Sequence, residues 1–599
     1  MSAVNPPSVS VRAAGFVAWI RRMAPLLLAL ILLVDTGLGV YRDQRSLSFP
    51  QDTHHESYGA LVRLARVMEG WSPIQPLCSV SYFCPAGFDA PTPTAMSWVE
   101  RTRWIWYQGD DYINAFPLHA LPAAILVVLF PGSAAVAALG LRFWFALLAM
   151  ACYRLGKLGR GPLTGLFAAV LACGTPAFVG AAISHVDAVP LAAIAAWMSL
   201  LLLVGDGFAN VGSCIGVALL ALVAFRVAEN TSGTLNVAQV ALLPGWIAID
   251  TSLRRAWRGD RPWRRLLGFV VIVAPVLLVA GLWSGRGAAI EYMSFGAKLG
   301  DKGVPGAADG NWLPDHAVLP RQFAYVEECA THLVLFPLVA LLWVGLAASL
   351  RPLTRERVAL VGMHALPLLV LSSSVRIGNW YLIPSLTGLV VGGAVGLTSI
   401  RRPLLRGLLC TAALGAAVVE RLEVVFASGP HWQDDALVRP VIQGDPLLQF
   451  PRPAYGAAMH AVADVVRGAG SDGPPLRVLM LSFLPPQGYS KKLALEGCWL
   501  IELEVPNSTC YSPIFENSQY QPMELLDPSR YDFLVWFERE GLREVPLGTS
   551  DGLPDPLTGP LRELGTQDRA VAEPLLRGLV QLRWERVQTP AGPVYRRLR

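Results

Sequence analysis

Long apolar runs alternate with short polar connections through most of the chain. They cover 24–41, 134–153, 163–182, 187–204, 211–228, 234–252, 266–285, 332–350, 357–374, 380–399 and 404–427. A helix needs about 20 mostly apolar residues to cross a bilayer, so the pattern predicts about eleven transmembrane helices. A further apolar stretch, LHALPAAILVVLF at 118–130, is short and bracketed by Pro117 and Pro131.

Basic residues give this array a direction. They cluster at Arg12/Arg21/Arg22, Arg154/Lys157/Arg160, Arg254 to Arg265, Arg351/Arg355/Arg357 and Arg401/Arg402/Arg406. Short cytoplasmic loops collect Lys and Arg. Placing all five clusters inside gives strict alternation across the predicted spans. Residues 1–23 are then a cytoplasmic N-terminus and 24–427 a membrane domain with outer loops 42–133 and 286–331. Residues 428–599 form a domain outside the cytoplasm, and the expected location is the plasma (inner) membrane. This parity leaves no place for 118–130 as a span. The stretch reads as re-entrant or lying along the outer surface; the alternative is a twelfth short helix with one violated loop. The first helix follows Arg21 and Arg22 without a small-residue cleavage site and reads as a retained anchor.

Beyond residue 428 the pattern changes to many prolines, mixed charge and short strand-like runs. RVLMLSFL (477–484) and YDFLVWF (531–537) read as buried strands, and LVQLRWERV with VYRRL near the end as a hairpin. The fold class is therefore an all-α polytopic membrane bundle followed by a soluble α/β or α+β domain.

Composition agrees: 53% of the 599 residues are hydrophobic and 16% charged, against about 25% charged in soluble domains. The net charge of +5 is spread over short clusters rather than one basic face, which argues against nucleic acid as a partner. Of nine cysteines, Cys152, Cys173, Cys214 and Cys410 lie in or at spans. Cys78 and Cys84 sit together in the first outer loop, and Cys498 and Cys510 in the tail. Close pairs on the oxidising side suggest two local disulfides, leaving Cys329 over. Zinc is the weaker reading, because no histidines stand in register with either pair.

Ionisable groups in or beside spans default to functional hypotheses, and many share the predicted outer boundary. Asp52, His54, His55 and Glu56 follow the first helix, and Asp110 and Asp111 precede Pro117. His185 and Asp187 lie between the third and fourth spans; Arg226 and Glu229 end the fifth, and Arg376 precedes the tenth. Together they suggest a polar cavity opening outward, although a charged residue at a helix end also serves as an anchor, and Asp187 suits a helix cap. His364 and Asp250 read as packing or snorkelling residues. His54 and His55, adjacent on a helix, point about 100° apart and suit no common metal.

Asp52 and Glu56 are four apart and can share a helix face. Leu61, Leu64, Ala65 and Met68 give the following segment one apolar face, as in a helix lying on a membrane. A carboxylate there is placed to deprotonate an acceptor hydroxyl or hold a divalent cation. We take Glu56 or Asp52 as a catalytic base; Asp52, Asp110 and Asp111 are the candidate cation ligands.

At these residues the chain resembles the membrane glycosyltransferases of the GT-C fold, in the branch of protein mannosyltransferases and aminoarabinose transferases. The carrying features are Asp52, Glu56, Tyr58, Ala60, Leu61 and Gly70 after the first helix. Pro117-Leu118, Pro131-Gly132, Arg142 entering the next span, and the basic end Arg154 to Arg160 follow. Asp187-Ala188-Val189-Pro190 opens the next helix, and Asn379-Trp380-Tyr381-Leu382-Ile383-Pro384, with Arg376 upstream, begins a late one. The chain departs from the family's paired Asp-Glu, its residue before Pro-Leu (here Phe116), and its late Arg, which Asn379 and Trp380 displace.

The resemblance spans roughly 24–400. It implies inverting transfer of a sugar from a polyprenyl-phosphate carrier to a glycan, lipid or protein acceptor on the outer face of the membrane. The carrier and substrate would meet Asp110, Asp111, His185, Asp187, Arg226, Arg376 and Tyr381, the guanidinium groups matching phosphate oxygens. Two other classes compete: a transporter or flippase, although no convincing internal repeat supports one, and a non-catalytic scaffold of an envelope assembly.

Overall fold

Backbone polar groups in lipid must be satisfied within the segment that carries them, which leaves helices as the means of crossing for a chain of this pattern. The computed structural model describes residues 9–45, 61, 64, 65, 68, 120–175, 178, 188–205, 207–228, 263–275, 337–372, 383–426, 453–470, 474–481, 497–498, 500–513, 526–538, 541–547, 553, 555–562 and 566–598. Up to residue 426 the elements are helical: α1 (Val9–Arg45), α2 (Leu121–Leu129), α3 (Ala134–Leu141), α4 (Phe143–Arg160), α5 (Pro162–Gly174) and α6 (Ala188–Val204). Next come α7 (Val211–Ala228), α8 (Trp263–Gly268), α9 (Leu338–Ser349), α10 (Arg355–Ser372), α11 (Ile383–Ser399) and α12 (Pro403–Phe426).

Three described stretches are long and apolar enough to cross a membrane: Arg22–Arg42, Ala134–Arg160 and Pro403–Leu422. Five more helices are apolar but only 10–17 residues long. This is fewer than the eleven runs in the sequence. Run 234–252 lies outside the described residues, and several other runs are described only in part.

Helix α11 is the centre of the bundle. Every residue from Ile383 to Leu397 is buried, and α4, α5, α6, α9 and α10 all pack on it. Lipid supplies no hydrophobic force between helices, so close approach through small residues has to hold them. Gly388, Gly392 and Gly396 recur at intervals of four, and Gly393 adds a second row. A Cβ on Gly396 would collide with the Gly345 carbonyl of α9, and one on Gly388 with the His364 backbone nitrogen of α10. His364 itself is a packing residue: its Nδ1 lies 3.0 Å from the Ser385 carbonyl oxygen and its ring meets Trp343 edge-on.

The basic ends gather at one end of the bundle. Arg160, at the end of α4, lies within electrostatic reach of Arg357 and Arg406. Arg357 donates to the Arg351 carbonyl (2.9 Å) and to Ser399 Oγ (2.8 Å), joining α10 to the end of α11.

The 118–130 stretch contains α2, nine residues and so about 14 Å long, too short to cross. It folds back along α3, with Gly140 against Ala123. The turn needs Gly132, whose φ is 84°, a conformation that a Cβ disfavours. Gly132 also faces the Glu504 carbonyl and Pro506 of the C-terminal domain.

That domain opens with α13 (Pro453–Gly468) and carries β1 (Leu476–Leu481), β2 (Ser508–Tyr511), β3 (Phe533–Glu538), β4 (Gly541–Leu542), β5 (Trp584–Thr589) and β6 (Gly592–Arg597). Helices α14 (Asp555–Arg562) and α15 (Thr566–Gln581) precede β5. The strand order is β2-β1-β3-β6-β5, with β4 on β3. Strands β1, β2 and β3 are parallel, while β6 runs antiparallel to β3 and closes the hairpin with β5. The parallel strands β1, β2 and β3 are buried on both faces, as helix-flanked parallel strands require, while β5 is largely exposed. Val478, Met480, Phe533 and Val535 share a core with Met459 and Val462 of α13; Leu479, Leu481, Leu534 and Trp536 share the other with Leu575, Leu576 and Leu579 of α15. Cys498 and Cys510 form a disulfide.

One expectation is overturned. The apolar face at Leu61, Leu64 and Ala65 does not lie on a membrane. All three are buried in the core that holds Ala123 and Val127 of α2, Ala134 and Ala137 of α3, and Met459, Met480 and Val505 of the C-terminal domain. Protein covers the face because the α2–α3 hairpin and the sheet each bring an apolar surface of their own to the same place.

Two outcomes test this packing. Overpacking a close contact costs about 1–3 kcal/mol or more, so Gly396→Val should lower the melting temperature in detergent, while Gly407→Val, with nothing within 4 Å, should not. Tyr595 Oη accepts from the Val545 amide (2.7 Å) and donates to its carbonyl (3.1 Å), and burial pushes its phenol above the ordinary 10.0, partly offset by that backbone contact. The folded state thus holds this proton to higher pH than the unfolded one. The contribution is fully present below pH 10 and is lost as pH rises through the raised value. Tyr595→Phe should cost about 1–2 kcal/mol at neutral pH and flatten that alkaline loss, read from melts of the whole chain across pH.

Candidate functional site

Helix α1 is apolar along most of its crossing, yet Asp35, Gly39 and Arg42 stand at i, i+4 and i+7, on one face. Asp35 is 4% and Arg42 1% exposed. Arg421, on α12, answers Asp35. Its Nη2 lies 2.9 Å from Asp35 Oδ1 and 3.0 Å from the Asp35 carbonyl oxygen. Arg142 answers Gly39. It sits at the break between α3 and α4, and its guanidinium lies so close that a Cβ on Gly39 would come within 2.7 Å of Cζ. The small residue is what admits the arginine. Glu420, beside Arg421, is also buried, and Cys173 of α5 lies within electrostatic reach of Asp35 and Arg421.

Three parts of the chain, α1, the α3–α4 break and α12, therefore bring three buried arginines, Arg42, Arg142 and Arg421, together with buried Asp35. Arg142 begins α4 and Arg160 ends it, about 27 Å away at helical rise; Arg406 and Arg421 are similarly separated along α12. The cluster thus lies at the end of the bundle opposite the basic ends. Tyr41 and Phe426 meet at a tilt beside Arg42, centroids 5.8 Å apart and half exposed; aromatic residues are enriched at membrane interfaces. Chemically, buried guanidinium groups in a low-dielectric setting suit an anion with several oxygens, above all a phosphate.

Of the residues singled out from sequence, Asp52, Glu56, Asp110, Asp111, His185, Asp187, Arg376, Tyr381, Cys78 and Cys84 lie outside the described residues. Arg226 falls on α7, with its side chain outside them. The candidate cation ligands are among these, and the described residues contain no group of three or more metal-ligating side chains. Sequence reasoning passed over Asp35, Arg42, Glu420 and Arg421 as site residues because it looked at the edges of spans. The available signal was a charge inside an apolar run, which is costly in lipid.

No family model matches the chain, and no curated protein sequence matches it. Among solved structures it is similar to ArnT from Cupriavidus metallidurans in the apo state, at 14% identity over 88% of this chain and 93% of that one, with a TM-score of 0.44. It is similar to arabinofuranosyltransferase AftD from Mycobacteria at 14% identity and TM-score 0.44, covering 95% of this chain but spanning only 39% of that one. A third is oligosaccharyltransferase AglB from Archaeoglobus fulgidus, in complex with an inhibitory peptide and a dolichol-phosphate: 12% identity, 97% of this chain, 75% of that one, TM-score 0.38. These are GT-C glycosyltransferases, the group that the sequence motifs resemble. At such TM-scores the likeness places no residue, and the site above stands on its own geometry.

Removing one partner of a buried ion pair costs about 3–5 kcal/mol, while replacing both by apolar residues restores much of it. Asp35→Leu and Arg421→Met should each lower the melting temperature in detergent, and the double variant should recover part of the loss. Equal melting of all four proteins would remove the pair from any role in the cluster.

Proposed function

We propose that the chain is an integral-membrane glycosyltransferase that moves a sugar from a polyprenyl-phosphate carrier to a glycan, lipid or protein acceptor at the outer face of the membrane. The observation that supports it is the convergence of Arg42, Arg142 and Arg421 at the end of the bundle away from the basic loops. The phosphate of a carrier lipid lies at that depth when its tail is in the bilayer. The guanidinium fork matches its oxygens. In this reading Arg226 and Arg376 also bind the carrier phosphate, and Tyr381, His185, Asp187, Asp110 and Asp111 bind the substrate.

Glu56 or Asp52 acts as the base. It takes the proton from the acceptor hydroxyl as that oxygen attacks the anomeric carbon, and the bond from that carbon to the carrier phosphate breaks with inversion. The proton ends on the carboxylate and the electron pair on the phosphate, whose charge the arginines balance. About eleven helices cross the membrane in this reading, with residues 1–23 cytoplasmic and 428–599 outside.

General-base catalysis contributes about 10²–10⁴-fold, so Glu56→Gln or Asp52→Asn should lower transfer from a radiolabelled polyprenyl-phosphate sugar by at least 100-fold in proteoliposomes. Full activity in both variants would sink the mechanism, and activity in neither the variants nor the wild type favours a transporter or scaffold. Single cysteines placed at Lys157 and Phe450 test the orientation: an impermeant maleimide applied outside should mark position 450 alone.

A further inference from the structure

The C-terminal domain meets the α2–α3 hairpin through a built seat. Residues 497, 498 and 500–504 are helical, and four ties hold this segment in place. The Cys498–Cys510 disulfide joins it to β2. Glu502 Oε1 accepts from the Cys510 amide at 2.8 Å. Glu504 meets His460 Nδ1 at 2.7 Å and Arg467 Nη2 at 3.3 Å, both on α13. The seat presents the Glu504 carbonyl and Pro506 to the Gly132 turn of the α2–α3 hairpin. Leu61 and Leu64, wholly buried, belong to the same core as that hairpin and the seat's Leu500, Ile501, Leu503 and Val505.

The position of Leu61 in sequence gives this core its meaning. Glu56 precedes it by five residues, so the chain cannot carry Glu56 more than about 18 Å from it. On the other side, α1 ends at Arg45, just past the Arg42 face. By sequence, residues 46–60 connect Arg45, three residues past Arg42, to Leu61 in the core shared with the C-terminal domain. We propose that Leu61, Leu64 and Met459 are positioning residues, through which the C-terminal domain sets the reach of the catalytic segment relative to the arginine cluster. This rests on the reading of Glu56 or Asp52 as the base.

The test uses the full chain in nanodiscs. Leu64→Ala and Met459→Ala loosen the shared core; Leu576→Ala, in the core on the far face of the sheet, destabilises the same domain without touching it. Loss of positioning lowers kcat while substrate binding persists, so the first two variants should lower kcat about tenfold with the donor KM within about twofold. Leu576→Ala should leave both constants near wild type, and Leu64→Met should restore most of the activity lost in Leu64→Ala. Equal losses in Leu576→Ala and Met459→Ala would overturn the proposal, since general destabilisation would then explain them. Hydrogen exchange supplies a readout independent of chemistry: amides at 61–68 should exchange about tenfold faster in Met459→Ala, as expected when local packing that protects them is weakened. Unchanged exchange would overturn the proposal even with an active enzyme. Faster exchange in a chain whose wild type transfers no sugar would strike the glycosyltransferase reading and leave the shared core standing.

Discussion

The contact on which the bundle depends is the backbone-to-backbone approach of α11 and α9 at Gly393, Gly396 and Gly345. In water, apolar side chains drive helices together; in lipid they have no such preference, and contact distance decides. Two helices that meet at glycine bring their backbones within reach of dispersion forces that longer side chains would hold apart. Once α11 is enclosed, α4, α5, α6 and α10 take their places around it, and the ends of those helices have no freedom left. The gathering of Arg160, Arg357 and Arg406 at one end follows from this, and so does the placing of Arg142 at the other.

The opposite end shows why a membrane protein tolerates so costly a feature as a buried charge. Asp35 and Arg421 lower each other's desolvation cost, and their geometry ties the first helix of the bundle to its last. Gly39 has a second task here, because only its lack of a side chain lets the Arg142 guanidinium lie against α1. The polar face of α1 is therefore made by omission as well as by charge: one small residue between two ionisable ones opens room for a third.

Much of this was legible in the sequence, for a clear physical reason. Apolar length and basic loops report on the bilayer, a solvent whose demands are the same everywhere, so the helical bundle and the clustering of its basic ends could be read directly. The strands at 477–484 and 531–537 and the terminal hairpin were legible because a doubly buried strand has a composition of its own. Residues 482–484 of the first run lie outside the described residues. What the pattern could not give was the identity of covering surfaces. Leu61, Leu64, Ala65 and Met68 announce an apolar face, but amphipathicity says only that something apolar lies against it. Lipid was the local answer; a domain some 400 residues further along supplied the actual one. Asp35 and Arg421 were missed for a related reason: each is a single departure within an apolar run, and only the fold brings the two together.

The shared core also orders the making of the protein. A ribosome delivers Leu61 and Leu64 long before Met459, Met480 or Val505, and all the intervening helices must be inserted in between. Until the last part of the chain has been made and its sheet closed, the early apolar face lacks a major part of its cover. Such long-range closure is slow and leaves greasy surface available to misassociation. The N-terminal part of this protein is thus finished by its C-terminal part, and a chain interrupted near residue 426 would carry an inserted bundle with an uncovered face.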